Sequence, residues 1–166
     1  HIPEDHNKQP LMNPDLWNNI SKQADNYITA SGWINSYTGK SFSVKEMEEY
    51  GDNIFLKLKK YLTRSIKILE VGCASGITMF RLAPLVPHYH GTDISESIIE
   101  QNLEHIKNRD ITNISLSILP AHAINTIKDK NYDIVIINSV IQVFPGYNYL
   151  RHFIIDSIEL INSKGL

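Results

Sequence analysis

A short strand-like run, Ile68-Leu69-Glu70-Val71, passes directly into Gly72-Cys73-Ala74-Ser75-Gly76 and then into a helical pattern from Ile77 to Ala83. This junction constrains the fold more than any other part of the chain. A strand that gives way to a helix across small residues brings backbone close to whatever lies at the strand's end, because side chains there are absent or short. The same alternation then repeats. His88 to Asp93 reads as a second strand, and Ser95 to Asn108 as a helix with Ile98, Ile99, Leu103 and Ile106 inward. Ile114 to Leu119 reads as a third strand. Asp133 to Asn138 reads as a fourth, its continuous run Ile134-Val135-Ile136-Ile137 typical of a strand covered on both faces. A last helix is expected from Tyr149 to Asn162, with Leu150, Phe153, Ile154, Ser157, Ile158 and Ile161 at helical spacing. Alternating strands and helices predict an α/β fold of Rossmann-like type, a parallel sheet with helices on both faces.

The N-terminal third has a different texture. Residues 1–15 carry Pro3, Pro10 and Pro14 among polar side chains and read as a linker or disordered arm. A polar helix is expected from about Asp15 to Ala30, followed by a loop, 31–40, rich in aromatic and hydroxyl groups. Ser43 and Glu46 form a capping box, behind which Met47, Tyr50, Ile54, Leu58 and Leu62 repeat on one face with Phe55 beside them. The predicted organisation is an arm (1–15), a helical lid segment (16–63) and an α/β core (64–166).

Composition excludes several classes of function. Of 166 residues, 42% are hydrophobic and 20% charged, and the formal charge is −2, so no basic footprint points to nucleic acid or an anionic membrane. No apolar run approaches the roughly 18 residues of a spanning helix. The polar stretch from His1 to Pro10 lacks the apolar core of a signal peptide. The single cysteine, Cys73, permits no internal disulfide and no CxxC metal cluster. His88, His90, His105 and His152 have no ligand spacing, so no metal is expected. The chain reads as cytoplasmic.

Two acids carry the chemistry. Asp93 stands 23 residues after Glu70, at the end of the next strand, where a carboxylate can accept both hydroxyls of a ribose. The glycine loop is expected to present a ligand to the helix N-terminus and its unpaired amides. A nicotinamide dinucleotide would need glycine where Ala74 stands, so that backbone can approach a pyrophosphate. Glu70 beside the loop suits an ammonium better than phosphates. S-adenosylmethionine (SAM) has the ammonium and the ribose and no phosphate. Cys73 reads as a small packing thiol in this loop rather than a nucleophile.

Glu70-Val71-Gly72-Cys73-Ala74-Ser75-Gly76 resembles the first motif of class I SAM-dependent methyltransferases, and Gly91-Thr92-Asp93-Ile94-Ser95 resembles the second. Trp33-Ile34-Asn35-Ser36-Tyr37-Thr38-Gly39, Phe80-Arg81-Leu82-Ala83-Pro84 and Asn138-Ser139-Val140-Ile141-Gln142-Val143-Phe144-Pro145 are similar to methyltransferase domains embedded in nonribosomal peptide synthetases and related polyketide synthases. The resemblance implies cofactor contacts at Trp33, Tyr37, Glu70, Gly72, Cys73, Ala74, Gly76, Asp93, Ile94, Ala121, His122, Asn138 and Ser139. Trp33 and Tyr37 would act as a lid, and His122 would stand near adenine in place of the family's acid. It further implies an acceptor tethered to a carrier protein, neighbouring synthase domains as partners, and a role in antibiotic-type biosynthesis.

Methyl transfer to an amine or hydroxyl is therefore the expected activity. Asn138 and Gln142, after the fourth strand, can orient an acceptor but cannot take a proton at neutral pH, which favours an amine. The family sheet has seven strands and four are accounted for, so the C-terminal strands are expected to be absent here. That would leave the fourth strand as an open apolar edge, prone to self-association. Two other readings stand beside the first: a non-catalytic cofactor-binding or docking fragment of a synthase, and a methyltransferase acting on a free small molecule.

Overall fold

The computed structural model describes residues 12–166; the arm expected over residues 1–15 lies outside the described residues up to residue 11. The remainder of that stretch is already structured. Helix α1 (Pro14–Lys22) starts on Asn13, whose side chain accepts the Asp15 amide, with proline at the first turn, where its missing N–H costs nothing. The single helix expected over 15–30 is two. After α1 the chain turns through Gln23 to Asn26, and Asn26 caps a short α2 (Tyr27–Ala30) by accepting the Ile28 and Thr29 amides. Asparagine competes well for backbone donors at a cap and poorly inside a helix, which is why the break falls there. Helix α3 (Val44–Leu58) begins at the Ser43–Glu46 capping box, as expected.

Strand β1 (Lys67–Val71), α4 (Ile77–Leu82), β2 (His88–Asp93), α5 (Glu96–Asn108), β3 (Ile114–Ile118), β4 (Ile134–Ile137) and α6 (Tyr147–Leu160) complete the fold. The sheet is parallel, in the order β3-β2-β1-β4, so β1 and its glycine loop stand between β2 and β4. Because strand side chains alternate, β1 serves two cores at once. Ile68 joins Met79, Leu82, Tyr89, Ile134 and Ile136 on the face covered by α3 and α4. Leu69 and Val71 join Ala121, Ile124, Tyr132, Phe153 and Leu160 on the face covered by α6.

Three details depart from the sequence pattern. Leu103, expected to point inward from α5, is 47% exposed. On α6 the buried positions are Phe153, Ser157 and Leu160, while Ile154 and Ile158 face outward. The periodicity fixes that a stripe exists, but a helix this apolar all round offers two candidate stripes. The outer edge of β4 is partly covered. Val135 donates to the Leu166 carbonyl, the Leu166 amide donates to Asp133, and Tyr132 bridges in parallel to Ile161.

Candidate active site

The site grows from the C-terminal ends of β1, β2 and β4. At the end of β1 the backbone turns through Gly72, at φ 76°, where an added Cβ would lie 2.4 Å from a Val140 methyl. Ala74 then takes a left-handed φ of 46°, which side chains disfavour, and Gly76 at φ 80° opens α4. A non-glycine residue held left-handed must be tied down by its surroundings, and Ala74 is. Its amide donates to Asp93 Oδ2 at 2.9 Å, and its carbonyl accepts from the Asn102 amide side chain at 2.7 Å. Next to it, the Ser75 amide donates to Ser31 Oγ at 3.0 Å, linking the loop to the segment after α2.

The unpaired amides expected at the helix N-terminus do not extend back into the turn. Gly72 and Cys73 both donate to the Thr92 carbonyl, Gly76 donates to the Cys73 carbonyl, and Ala74 and Ser75 donate to side chains. Every amide of the turn already has an acceptor, so this loop is not built to cradle phosphates as dinucleotide loops do. It shapes a wall.

Behind that wall are two buried carboxylates. Glu70 is 3% exposed and accepts from the Tyr89 hydroxyl at 3.0 Å. Burial pushes its carboxyl up to about 8, against the lowering effect of hydrogen bonds from Tyr89 and Thr78. Asp93 is 8% exposed, and burial raises it too, opposed by the amides of Ser95, Ala74 and Ile94. Among the described residues the ion pairs are Lys45–Glu49, Lys67–Asp129 and Arg81–Asp52, none of them at these acids. Two desolvated carboxyls with no cation of their own suit a ligand that brings hydroxyls and a positive charge.

Most of the residues picked from the sequence do line one cavity: Trp33, Glu70, Gly72, Cys73, Ala74, Asp93, Ile94, Ala121, Asn138, Ser139 and Gln142. Three do not. Tyr37 is 98% exposed at the tip of a turn whose amides bond the Asn35 side chain, too far out to touch the cavity wall. His122 is exposed and bonds the Tyr149 hydroxyl at 3.2 Å, because the 3-10 turn Ala121–Thr126 points Ala121 inward and the imidazole away. Gly76 lies on the opposite side of the loop, facing a second cleft with Phe80 and His105. Sequence reasoning missed Trp17, Ser31 and Tyr50 in the N-terminal segment, and Leu119, Pro120 and Phe144 in the core. Tyr50 carried one signal that could have found it: a hydroxyl on an otherwise apolar helical stripe.

The cavity's far rim is made by the residues that follow β4. Ser139 is left-handed at φ 56°, and the Gln142 side chain donates to its carbonyl. Tyr50 crosses from α3, packs edge-on to Trp33 at 4.9 Å, and bonds both Asn138 and Ser139. The described residues contain no group of His, Cys, Asp and Glu able to hold a metal ion. None of the helices described is long and apolar enough to cross a membrane.

A family model described as a methyltransferase domain matches residues 62–157, more than half of the chain. The chain is a class I methyltransferase domain. Its relatives are segments of very large enzymes. It is 33% identical over 134 residues to CymA of Salinispora arenicola, named as a probable nonribosomal peptide synthetase, covering 81% of this chain and 2% of that protein. It is 29% identical over 154 residues to enniatin synthase of Fusarium equiseti, covering 89% of this chain and 5% of that one. The methyltransferase domain thus spans only a small part of the curated relatives it matches. Its fold is also that of the Haemonchus contortus phosphoethanolamine N-methyltransferase 1, solved with phosphoethanolamine and S-adenosylhomocysteine: TM-score 0.71 at 19% identity, over 99% of this chain and 33% of that one. The cavity's lining fits S-adenosyl-L-methionine, with the Glu70 and Asp93 carboxyls for its hydroxyls and cation and the amides of the turn from Gly72 to Gly76 already bonded within the protein.

Proposed function

We propose that this methyltransferase domain methylates an amine of a carrier-tethered peptide or polyketide intermediate in natural-product assembly, with neighbouring synthase domains supplying the carrier. The observation behind this is the rim after β4. Asn138, Ser139 and Gln142 close the cavity with neutral polar groups, and no side chain there can accept a proton at neutral pH. Tyr50 is no base either, since burial raises its phenol above the usual range. A hydroxyl acceptor needs a general base; an amine that arrives unprotonated does not.

When bound, SAM supplies an electrophilic methyl group on a sulfonium sulfur that departs as a neutral thioether. The protein's part is position and exclusion of water. Asp93 would take the ribose hydroxyls on the lone pairs left free by the Ala74, Ser95 and Ile94 amides. Glu70 would face the ammonium. The segment from α1 to α3 would act as the lid, with Trp17 and Trp33 over the cavity. Asn138 Oδ1 would accept a hydrogen bond from the acceptor N–H, holding its lone pair toward the methyl carbon. The nitrogen then sheds one proton to water.

The test is direct. Incubated with SAM and a carrier-bound aminoacyl thioester, the protein should add one methyl group to nitrogen, read by mass spectrometry of the released acid. Transfer to oxygen alone would overturn the amine reading. The four-stranded sheet favours a second reading, a docking element without turnover; SAM binding without any transfer would support it. A free amino acid methylated as fast as the carrier-bound one would instead support a small-molecule methyltransferase. A cytoplasmic setting is part of the proposal.

A further inference from the structure

We infer that Tyr50 is a positioning residue that sets the orientation of the Asn138 carboxamide, committing its nitrogen to the phenol and leaving its oxygen for the acceptor amine. The inference rests on the amine reading given above. It starts from a hydrogen-bond chain across two parts of the fold that no sequence motif joins. Asn138 Nδ2 donates to Tyr50 Oη, and Tyr50 Oη donates its own proton to Ser139 Oγ at 3.0 Å. Residues 50 and 138 lie 88 positions apart, one in the middle of α3 and one just past β4.

A carboxamide has two chemically opposite ends on nearly the same shape. With the oxygen inward, Asn138 accepts from an amine N–H and leaves the nitrogen lone pair free to attack. With the nitrogen inward, it donates to that lone pair and blocks the reaction. The side chain alone has little to choose between the two. The phenol decides, because its single proton goes to Ser139 and its oxygen is left as an acceptor, which only the Nδ2 end can satisfy. Burial keeps the phenol protonated, so the polarity of this chain holds through neutral pH. The ring is itself fixed. Trp33 packs against it edge-on at 4.9 Å, and Trp33 in turn meets Phe42 at 6.2 Å. The Tyr50 hydroxyl is therefore held by the lid and reports lid position to the acceptor side. Nothing in this geometry requires Tyr50 to touch the substrate.

The experiment uses the full chain with SAM and a carrier-bound aminoacyl thioester. Tyr50→Phe keeps the ring and its packing on Trp33 and removes only the hydroxyl. Methyl transfer should fall about tenfold in kcat, the scale of one lost hydrogen bond, with SAM affinity by calorimetry and the thermal midpoint little changed. The decisive arm is the pair. Asn138→Ala alone should lower kcat, and adding Tyr50→Phe to it should lower kcat no further, since the phenol then has no amide to orient. If Tyr50→Phe leaves kcat unchanged, or costs the same factor with Asn138 absent, or weakens SAM binding in proportion, the positioning role is overturned. Failure of the underlying reading looks different: Asn138→Ala would by itself leave transfer to the amine intact.

Discussion

Asp93 Oδ2 accepts the Ala74 amide at 2.9 Å, so the acid at the end of β2 holds the left-handed turn at the end of β1. Its other oxygen accepts the Ser95 amide at 2.9 Å, where α5 begins. One side chain thus sets the shape of the cavity wall, and the proposed function gives its remaining lone pairs to the ribose. Replacing it by asparagine leaves a single acceptor oxygen. Asp93→Asn should weaken SAM binding by roughly 1.5–3 kcal/mol, the scale of hydrogen bonds to a charged group, and lower the thermal midpoint as Ala74 or Ser95 loses its partner. Calorimetry showing unchanged SAM affinity would remove Asp93 from the cofactor site.

Glu70 makes stability depend on pH in a direction opposite to most carboxylates. Its pKa is raised by burial from 4.5 to about 8, with Asp93 nearby adding to the rise. Below pH 4.5 both folded and unfolded chains carry the proton, and the contribution is fully present. Between 4.5 and about 8 the unfolded chain ionises while the folded one does not, so stability falls as pH rises through that window. Glu70→Gln should flatten this decline in urea titrations. His90, whose pKa burial lowers, acts in the other direction, losing stability as pH falls below its ordinary value. A cation brought beside Glu70 draws its carboxyl down, so SAM binding near neutral pH should release a proton. Equal calorimetric heats in buffers of differing ionisation enthalpy would sink that coupling.

Ala74 sits at φ 46° with no glycine to relieve it. A left-handed L-residue costs about 1–2 kcal/mol, and glycine loses about 0.4–1 kcal/mol through the extra freedom of its unfolded chain. Ala74→Gly should therefore stabilise the protein by about 0.5–1 kcal/mol, with SAM still bound. A destabilised variant in chemical denaturation would mean that the surrounding hydrogen bonds do not strain this residue.

On α6, Ile154 is 46%, Ile155 40% and Ile158 64% exposed, and beyond Val135 no strand of the described residues pairs with the outer edge of β4. Exposed apolar surface beside an open edge favours association, with a second copy or with neighbouring synthase sequence. The isolated chain should self-associate with rising concentration in light scattering, and Ile158→Lys should reduce it. A monodisperse monomer across the concentration range would remove this surface from consideration.

Much of the fold was legible because its signals are local. The Ser43–Glu46 box, the apolar run of β4 and the small residues from Gly72 to Gly76 each dictate backbone shape within a few positions. The site was legible in part for the same reason: Glu70, Asp93 and Asn138 stand at strand ends, and parallel strands bring their C-terminal ends to one rim. Tyr37 and His122 misled because a loop motif shows that a side chain is present but not which way its turn points it. The split of 15–30 into two helices was hidden by a polar pattern that suits either, until the Asn26 cap is seen.

By itself, then, the sequence determined the order of strands and helices, the glycine turn and the two acids, since these follow from periodicity, backbone freedom and spacing along the chain. Tertiary structure alone decided which partners those groups have. Whether the loop amides are free or paired depends on Thr92, Asp93 and Ser31 arriving from other segments. Whether Tyr50 is core or rim depends on how α3 crosses the sheet, which brings its hydroxyl within bonding distance of Asn138 and Ser139. Hydrogen bonds between distant segments are set by three-dimensional packing, and no one-dimensional pattern records them.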